Sequence, residues 1–136
     1  MSDDVPAGFV LPENANRFED LVGPIYEKGA SDDYVCAFRP EAKHDNRRGV
    51  VHGGMLFTLA DHTLGNMVWD RAGGQPCATV SLNVDYIAGV RAGDWVECSG
   101  HITRETRSLI FIKGELTVGG RIVMTATGVW KKLGAD

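Results

Sequence analysis

One segment of this sequence, from Gly54 to Asp70, limits the possible folds more than any other. As a helix its roughly 17 residues would extend about 25 Å, and its apolar side chains leave no broad polar face. These side chains are Met55, Leu56, Phe57, Leu59, Ala60, Leu64, Met67, Val68 and Trp69. A helix of this kind must be buried, so the rest of the chain has to cover it. Arg71 and Gly73-Gly74 mark its expected C-terminal end.

Four segments after this helix alternate apolar and polar side chains, which is typical of strands with one covered face. They cover residues 78–86, 96–103, 110–118 and 122–130. The apolar set of the first segment is Ala78, Val80, Leu82, Val84 and Tyr86, and that of the last is Ile122, Met124, Ala126 and Trp130. Gly119-Gly120 suits a tight hairpin between the last two segments. The pattern predicts an antiparallel meander that wraps around the helix.

The first fifty residues carry weaker signals. Phe18, Leu21 and Val22 suggest a short amphipathic helix, and residues 25–28 and 34–39 are expected to form a hairpin. Residues 41–49 form a polar loop that leads to the long helix. The 136 residues, of which 43% are apolar, suit a single domain over residues 1–136.

Charge and cysteine content exclude several classes of protein. The formal charge of −4 argues against a protein that coats nucleic acid. The N-terminus is acidic, no apolar run reaches the ~20 residues that span a bilayer, and the cysteines lack CxxC spacing. These features predict a soluble cytoplasmic protein without a membrane partner.

Asp61 stands out because it lies in the second turn of the otherwise apolar helix. Burying a carboxylate costs several kcal/mol unless the group is paired or has a chemical use. Two interpretations remain open at this point. Asp61 either pairs along a narrow polar seam lined by Thr58, His62 and Gly65, or it takes part in catalysis.

His52-Gly53-Gly54 lead directly into the helix, where backbone N–H groups without partners can bind a developing oxyanion. The structural alternative is a tight entry into the helix, with His52 bonded locally. An oxyanion site and a carboxylate are the minimum needed to add water to a carbonyl group. Gly54 and Asp61 are ~10 Å apart along the helix, which is awkward for one carbonyl group. Two antiparallel copies of the helix would solve this by forming the site at a homodimer interface.

Other kinds of catalytic site find little support. The four histidines lack metal-ligand spacing, so neither a metal site nor a cofactor is expected. There is no GxSxG or Walker motif. The cysteines lie in or beside predicted strands, where core thiols are the stronger expectation. They are Cys36, Cys77 and Cys98.

The run from Asn46 to Gly54, followed by Leu59-Ala60-Asp61, resembles the signature NxxGxxHGGxxxxLAD of the hotdog-fold acyl-CoA thioesterases in their PaaI-like branch. The similarity continues through residues 79–86 and 92–94, and covers the chain from Asn46 to its end. It implies an α+β hotdog fold, in which an antiparallel sheet wraps around a long central helix. It also implies a homodimer, often assembled into a homotetramer, that hydrolyses acyl-CoA.

The resemblance also implies roles for individual residues. Asp61 would be the catalytic carboxylate, acting as general base or as nucleophile. The amide of Gly53 or Gly54 of the partner subunit would polarise the thioester carbonyl. His52 and Asn46 would orient the acyl carbonyl and the attacking group. Thr79 would supply a hydroxyl group that helps to place the water.

Several points stay open. CoA phosphates would be held by scattered basic residues, for which Arg91, Arg107 and Arg47 or Arg48 are candidates, although each also suits a solvated surface. Ala88-Gly89 replace a proline that is common in relatives, so the loop near CoA can differ in shape. A non-catalytic acyl-CoA sensor and a hotdog dehydratase are the alternatives. The acyl group is not predicted; the candidates for its pocket are Phe57, Leu64, Met67, Trp69 and Ile87.

Overall fold

A computed structural model describes residues 4–13 and 17–134 of the chain. Its helices and strands are α1 (Phe18–Val22), β1 (Tyr26–Lys28), β2 (Val35–Phe38), α2 (Gly53–Arg71), β3 (Cys77–Tyr86), β4 (Val96–Glu105), β5 (Leu109–Val118) and β6 (Arg121–Lys132). Short 3-10 helices occur at Ser31–Asp33 and Ala42–His44. The long helix and the four expected strands are confirmed, with every boundary within about two residues of its predicted place.

The six strands form one antiparallel sheet in the order β1-β2-β4-β5-β6-β3. β1 and β2 are the predicted N-terminal hairpin, and β4, β5 and β6 form a meander. β3 departs from the prediction, because it pairs with β6 at the far edge and not with β4. The sheet curls around α2, which contacts every strand from β2 to β6. Alternation of side chains reveals a strand but not its partner, so the predicted four-strand meander is wrong at β3.

Only one side of α2 is buried by its own chain. The buried residues are Met55, Leu56, Leu59, Ala60, Thr63, Leu64, Met67 and Val68. The opposite side, here called the outer face of α2, is partly or fully exposed and consists of Thr58, Asp61, His62, Gly65, Asn66 and Trp69. Trp69 is 52% exposed, which corrects the expectation that it is buried. None of the helices in the described ranges has the length and apolar content needed to cross a membrane.

Leu64 packs against a place where the sheet has no side chains. Gly100 of β4 and Gly114 of β5 are direct cross-strand partners. A Cβ atom on Gly100 would lie 2.5 Å from Leu64 Cδ2 and 2.7 Å from the carbonyl oxygen of Lys113. One on Gly114 would lie 2.7 Å from the same Leu64 atom. The two glycines therefore form the hollow that receives Leu64 and allows helix and sheet to approach closely.

Gly100→Ala should lower the free energy of unfolding by about 2 kcal/mol, because the added methyl group overlaps both Leu64 and a backbone carbonyl. The test is the midpoint of urea unfolding, compared at unchanged slope. Gly89→Ala is the control, since a Cβ atom there would meet only a Val50 methyl group at 3.9 Å. Equal midpoints for the two variants would contradict the packing described for Leu64.

The pairing of β3 with β6 shifts by one residue between Thr79 and Ser81. This β-bulge makes Val80 an extra residue and reverses the alternation on one side of it. Thr79 is opposite Trp130, and residues opposite each other share a face of the sheet, so Thr79 faces α2. The sequence pattern had placed Ala78 and Val80 on that face. Val80 is instead 59% exposed.

A second shift, between Leu116 and Thr117 of β5, makes Val123 the extra residue of β6. Val123 is fully buried, whereas Ile122, which the pattern placed in the core, is 39% exposed. The carbonyl oxygen of Val123 accepts hydrogen bonds from the N–H groups of Ile87 at 2.9 Å and Ala88 at 3.2 Å. The sequence pattern therefore misplaces Val80 and Ile122 for the same reason. Each lies at a β-bulge, where side chains no longer alternate with a period of two.

Candidate active site

His52 caps the start of α2. Its Nδ1 accepts a hydrogen bond from the N–H of Gly54 at 2.9 Å. Because Nδ1 is the acceptor, the neutral ring carries its proton on Nε2. Gly53 is the first residue of the helix, and among the described residues its N–H group has no hydrogen-bond acceptor. Of the two amides considered from the sequence, that of Gly53 is therefore free to bind a ligand.

Tyr86, at the end of β3, fixes the position of Gly53. Its hydroxyl group donates a hydrogen bond of 2.8 Å to the carbonyl oxygen of Gly53. A Cβ atom on Gly53 would lie 3.1 Å from Tyr86 Cζ, so the absence of a side chain allows this close approach. The alternation of side chains predicts a strand position for Tyr86 but does not indicate this contact. The available signal was a polar-tipped aromatic residue at a strand end, whose hydroxyl group usually finds a partner.

Asp61 and Thr79 form the second polar group. Thr79 Oγ1 donates a hydrogen bond of 3.1 Å to Asp61 Oδ1, and among the described residues Oδ2 has no donor. Asp61 is half-buried on the outer face of α2, so the full burial expected from its apolar neighbours is not reached within one chain. The β-bulge in β3 makes the contact possible, because it turns Thr79 towards the helix.

A single chain does not bring these two groups together. Gly53 and Asp61 are eight residues apart on one helix, which corresponds to about 12 Å along its axis. Asn46 lies in the loop before α2, where its Oδ1 accepts hydrogen bonds from the N–H groups of Arg48 at 2.8 Å and Val50 at 3.3 Å. In the described ranges no hydrogen bond links Asn46 to either group.

The candidate basic residues lie at two ends of the molecule, and all are exposed. Arg47 belongs to the loop before α2, and the loop that carries Arg91 is hydrogen-bonded to the residues just before His52. Arg107 lies in the turn from β4 to β5. That turn follows Glu105, which forms an ion pair of 2.9 Å with Arg71 at the C-terminal end of α2. Within one chain, Arg107 is therefore at the opposite end of the helix from Arg47 and Arg91.

All three cysteines are free thiols. Cys36 and Cys98 are fully buried partners on β2 and β4, and burial raises the pKa of the Cys36 thiol to about 11 and that of Cys98 to about 12. Cys77 is partly exposed, and burial raises its pKa as well. Thiols with raised pKa values are poor nucleophiles at neutral pH. In the described ranges, no three His, Cys, Asp or Glu side chains are placed to hold a metal ion.

Alkylation of the native protein should therefore proceed in two phases. Iodoacetamide should modify Cys77 first, because Cys36 and Cys98 have no exposed surface and high pKa values. Mass spectrometry over time would show one early adduct, with the other two formed only on unfolding. Cys77→Ser should remove the early phase. An early second adduct would contradict the burial of the β2–β4 pair.

Comparison with known proteins places this geometry in a family. Residues 48–125 match the family model described as Thioesterase superfamily. The Pseudomonas aeruginosa protein named "Putative esterase PA0474" is 36% identical over 129 residues, which cover 93% of this chain and 96% of that protein. Human acyl-coenzyme A thioesterase 13 is 28% identical over 106 residues, 76% of this chain and 74% of that protein. The region matched by the family model includes the start of α2 and Asp61.

Solved structures with a similar fold point to the same family. A variant of the phenylacetic acid degradation protein PaaI from Thermus thermophilus superimposes with a TM-score of 0.79 at 26% identity, over 85% of this chain and 98% of that chain. The six-stranded antiparallel sheet around a long helix is the hotdog fold that the sequence resemblance implied. The chain therefore belongs to the thioesterase superfamily: it is a hotdog-fold enzyme of the PaaI-like branch, and its class of reaction is thioester hydrolysis.

Proposed function

We propose that this chain hydrolyses acyl-CoA thioesters to a free acid and CoA, at sites formed between two copies of the chain. The observation that carries the proposal is the pair Asp61–Thr79 on the outer face of α2, with the unpaired amide of Gly53 at the start of the same helix. A carboxylate and an amide donor supply what water addition to a carbonyl group requires. The name of the human relative extends the proposal from thioesters in general to acyl-CoA.

The need for two copies follows from distance. Gly53 and Asp61 of one chain are about 12 Å apart along α2, too far to act on one carbonyl group. A second helix running antiparallel against the outer face of α2 would bring the partner's Gly53 towards Asp61. β3 lies at an edge of the sheet, and its exposed apolar residues supply a surface for the second copy. These residues, with the one that follows β3, are Val80 at 59%, Tyr86 at 53% and Ile87 at 57% exposure.

The proposed reaction uses the two groups in sequence. The amide of the partner's Gly53 donates a hydrogen bond to the thioester carbonyl oxygen and stabilises the negative charge that develops there. Asp61 either removes a proton from an attacking water or attacks the carbonyl carbon itself, with water then hydrolysing the anhydride. In both routes the C–S bond breaks, the electron pair leaves with sulfur, and the thiolate takes a proton to give CoA. Thr79 holds one Asp61 oxygen in place, so the other faces the substrate.

The remaining residues have proposed positioning roles. His52 Nε2–H points away from its cap bond and can orient the acyl carbonyl, with the Asn46 amide group assisting from the preceding loop. Arg47 and Arg91 would hold CoA phosphates near the helix start. In an antiparallel pair, Arg107 of the partner subunit would approach the same end of the helix. A homodimer is the minimum assembly for this site, and a homotetramer contains the same interface.

The experiment is a panel of short, medium, long and aromatic acyl-CoAs, followed by the loss of thioester ultraviolet absorbance. This readout avoids interference from the three free thiols of the protein. Hydrolysis of one or more members, with a dimer or tetramer in light scattering, is the expected result. Tight binding of acyl-CoA without hydrolysis would overturn the proposal and leave a binding protein.

A further inference from the structure

Gly65 is an unusual residue for the middle of α2, because glycine weakens helix interiors relative to alanine. It lies one turn after Asp61 on the same side of the helix, about 6 Å further along the axis. Its backbone is ordinary helix and does not need the left-handed region that favours glycine. The three atoms nearest to a Cβ atom there would all belong to Trp130, the nearest being Nε1 at 3.7 Å, which is ordinary contact. The fold would therefore accept alanine here.

The missing side chain leaves a small depression, here called the Gly65 notch, with Trp130 as its wall. Trp130 is 3% exposed, and of its atoms Nε1 lies nearest to the place where a Gly65 side chain would be. Among the described residues, nothing accepts a hydrogen bond from this indole N–H. Trp130 Nε1 is not among the fully buried polar atoms that lack a partner in the described ranges, so it retains some exposed surface and can donate to a ligand acceptor.

The indole is held firmly in this orientation. A Cβ atom on Gly128 would lie 2.4 Å from Trp130 Cζ3, so the six-membered ring occupies the space that a side chain at 128 would fill. Trp130 is also the cross-strand partner of Thr79, whose hydroxyl group bonds to Asp61. The Asp61 carboxylate and the Trp130 indole are thus connected through the neighbouring pair Thr79–Trp130.

The spacing sets which part of a substrate could reach the notch. An attacking oxygen near Asp61 must be about 3–3.5 Å from the thioester carbonyl carbon. Since Gly65 is about 6 Å further along α2, roughly two or three carbon–carbon bonds separate that carbonyl from the notch. The third or fourth carbon of the acyl chain would therefore lie beside Trp130 Nε1.

On this basis, and resting on the proposed acyl-CoA hydrolysis, we infer that the Gly65 notch selects the acyl group. The Trp130 indole N–H donates a hydrogen bond to an oxygen on the third or fourth acyl carbon. The preferred substrates are short acyl-CoAs with a hydroxyl or keto group at that position. Gly65 has no side chain so that this part of the substrate fits.

The test compares kcat/KM for 3-hydroxybutyryl-CoA, each enantiomer separately, with that for butyryl-CoA. The wild-type protein should prefer one 3-hydroxybutyryl enantiomer by roughly 3- to 10-fold, the effect of one hydrogen bond. Trp130→Phe removes the N–H and should bring the ratio close to unity. Trp95→Phe, which removes an indole N–H that donates to Glu97 of β4, is the matched control and should leave the ratio unchanged.

Gly65→Ala provides a second variant that should fold, since its methyl group makes only ordinary contacts. It should raise the Tm by a few degrees through better helix propensity, and lower kcat/KM for 3-hydroxybutyryl-CoA more than for acetyl-CoA. Two results would overturn this inference and leave the proposed function intact. One is hydrolysis of butyryl-CoA with no preference for 3-hydroxybutyryl-CoA, and the other is a preference that persists in Trp130→Phe. A changed oligomeric state in Gly65→Ala would also overturn it, by making the notch a contact between copies. Failure to hydrolyse any acyl-CoA would instead refute the proposed function.

Discussion

Asp61→Asn should lower kcat for acyl-CoA hydrolysis by about 10³-fold, the contribution expected of a positioned general base. The amide has nearly the same size as the carboxylate, and its oxygen can still accept the hydrogen bond that Thr79 donates to Oδ1. It can neither take a proton from water nor attack the carbonyl carbon effectively. The loss should therefore appear in kcat, with a smaller change in KM, because the carboxylate acts mainly in the transition state.

Asp70→Asn is the matched control, since it makes the same chemical change near the other end of α2 on an exposed side chain. It should retain activity close to that of the wild-type protein. Circular dichroism and light scattering would establish that both variants keep the fold and the assembly. If Asp61→Asn keeps most of its activity, Asp61 is a pairing residue in a polar seam and the catalytic group lies elsewhere.

The parts of the fold that sequence predicts well are those governed by local periodicity. The apolar run of α2, the strand alternation and Gly119-Gly120 each specify local structure, and the two glycines have φ values of +57° and +80°. The partner of β3 was not predictable in this way, because pairing with β6 depends on how the sheet closes around the helix. Long-range pairing is decided by packing of the whole core and leaves no period in the sequence.

The site shows the same limit at the level of single residues. The alternation of β3 placed Thr79 away from the core, whereas one extra residue in the strand turns it to Asp61. A β-bulge changes the direction of every side chain on one side of it, without a distinctive local composition here. The sequence likewise does not indicate which of the Gly53 and Gly54 amides is free, since this depends on which N–H group donates a hydrogen bond to the His52 ring.

Gly53→Pro should lower kcat by about 10²- to 10³-fold, because it deletes the amide proposed to bind the oxyanion. Proline is well tolerated at the first helical position, where its missing N–H breaks no helix bond. His52, with φ −58° and ψ 133°, already has the extended backbone that a residue before proline requires. Gly53→Ala is the control, since it adds a Cβ atom near Tyr86 but keeps the N–H. Equal losses in both variants would indicate a steric effect and not a lost donor.

Combining the two inactive variants tests whether the site is shared between subunits. Co-expression of Asp61→Asn with Gly53→Pro should restore about a quarter of wild-type activity, because about half of the two-fold symmetric dimers are mixed and each mixed dimer has one intact site of two. That site joins Asp61 of one chain to the partner's Gly53. Wild type co-expressed with the double variant is the control. It should also give about a quarter of wild-type activity, because its mixed dimers have no intact site and only the quarter of dimers with two wild-type chains are active. Sites contained within one chain would instead give no recovery in the first mixture and about half activity in the second. The two mixtures thus separate a shared site from a self-contained one by opposite changes in activity.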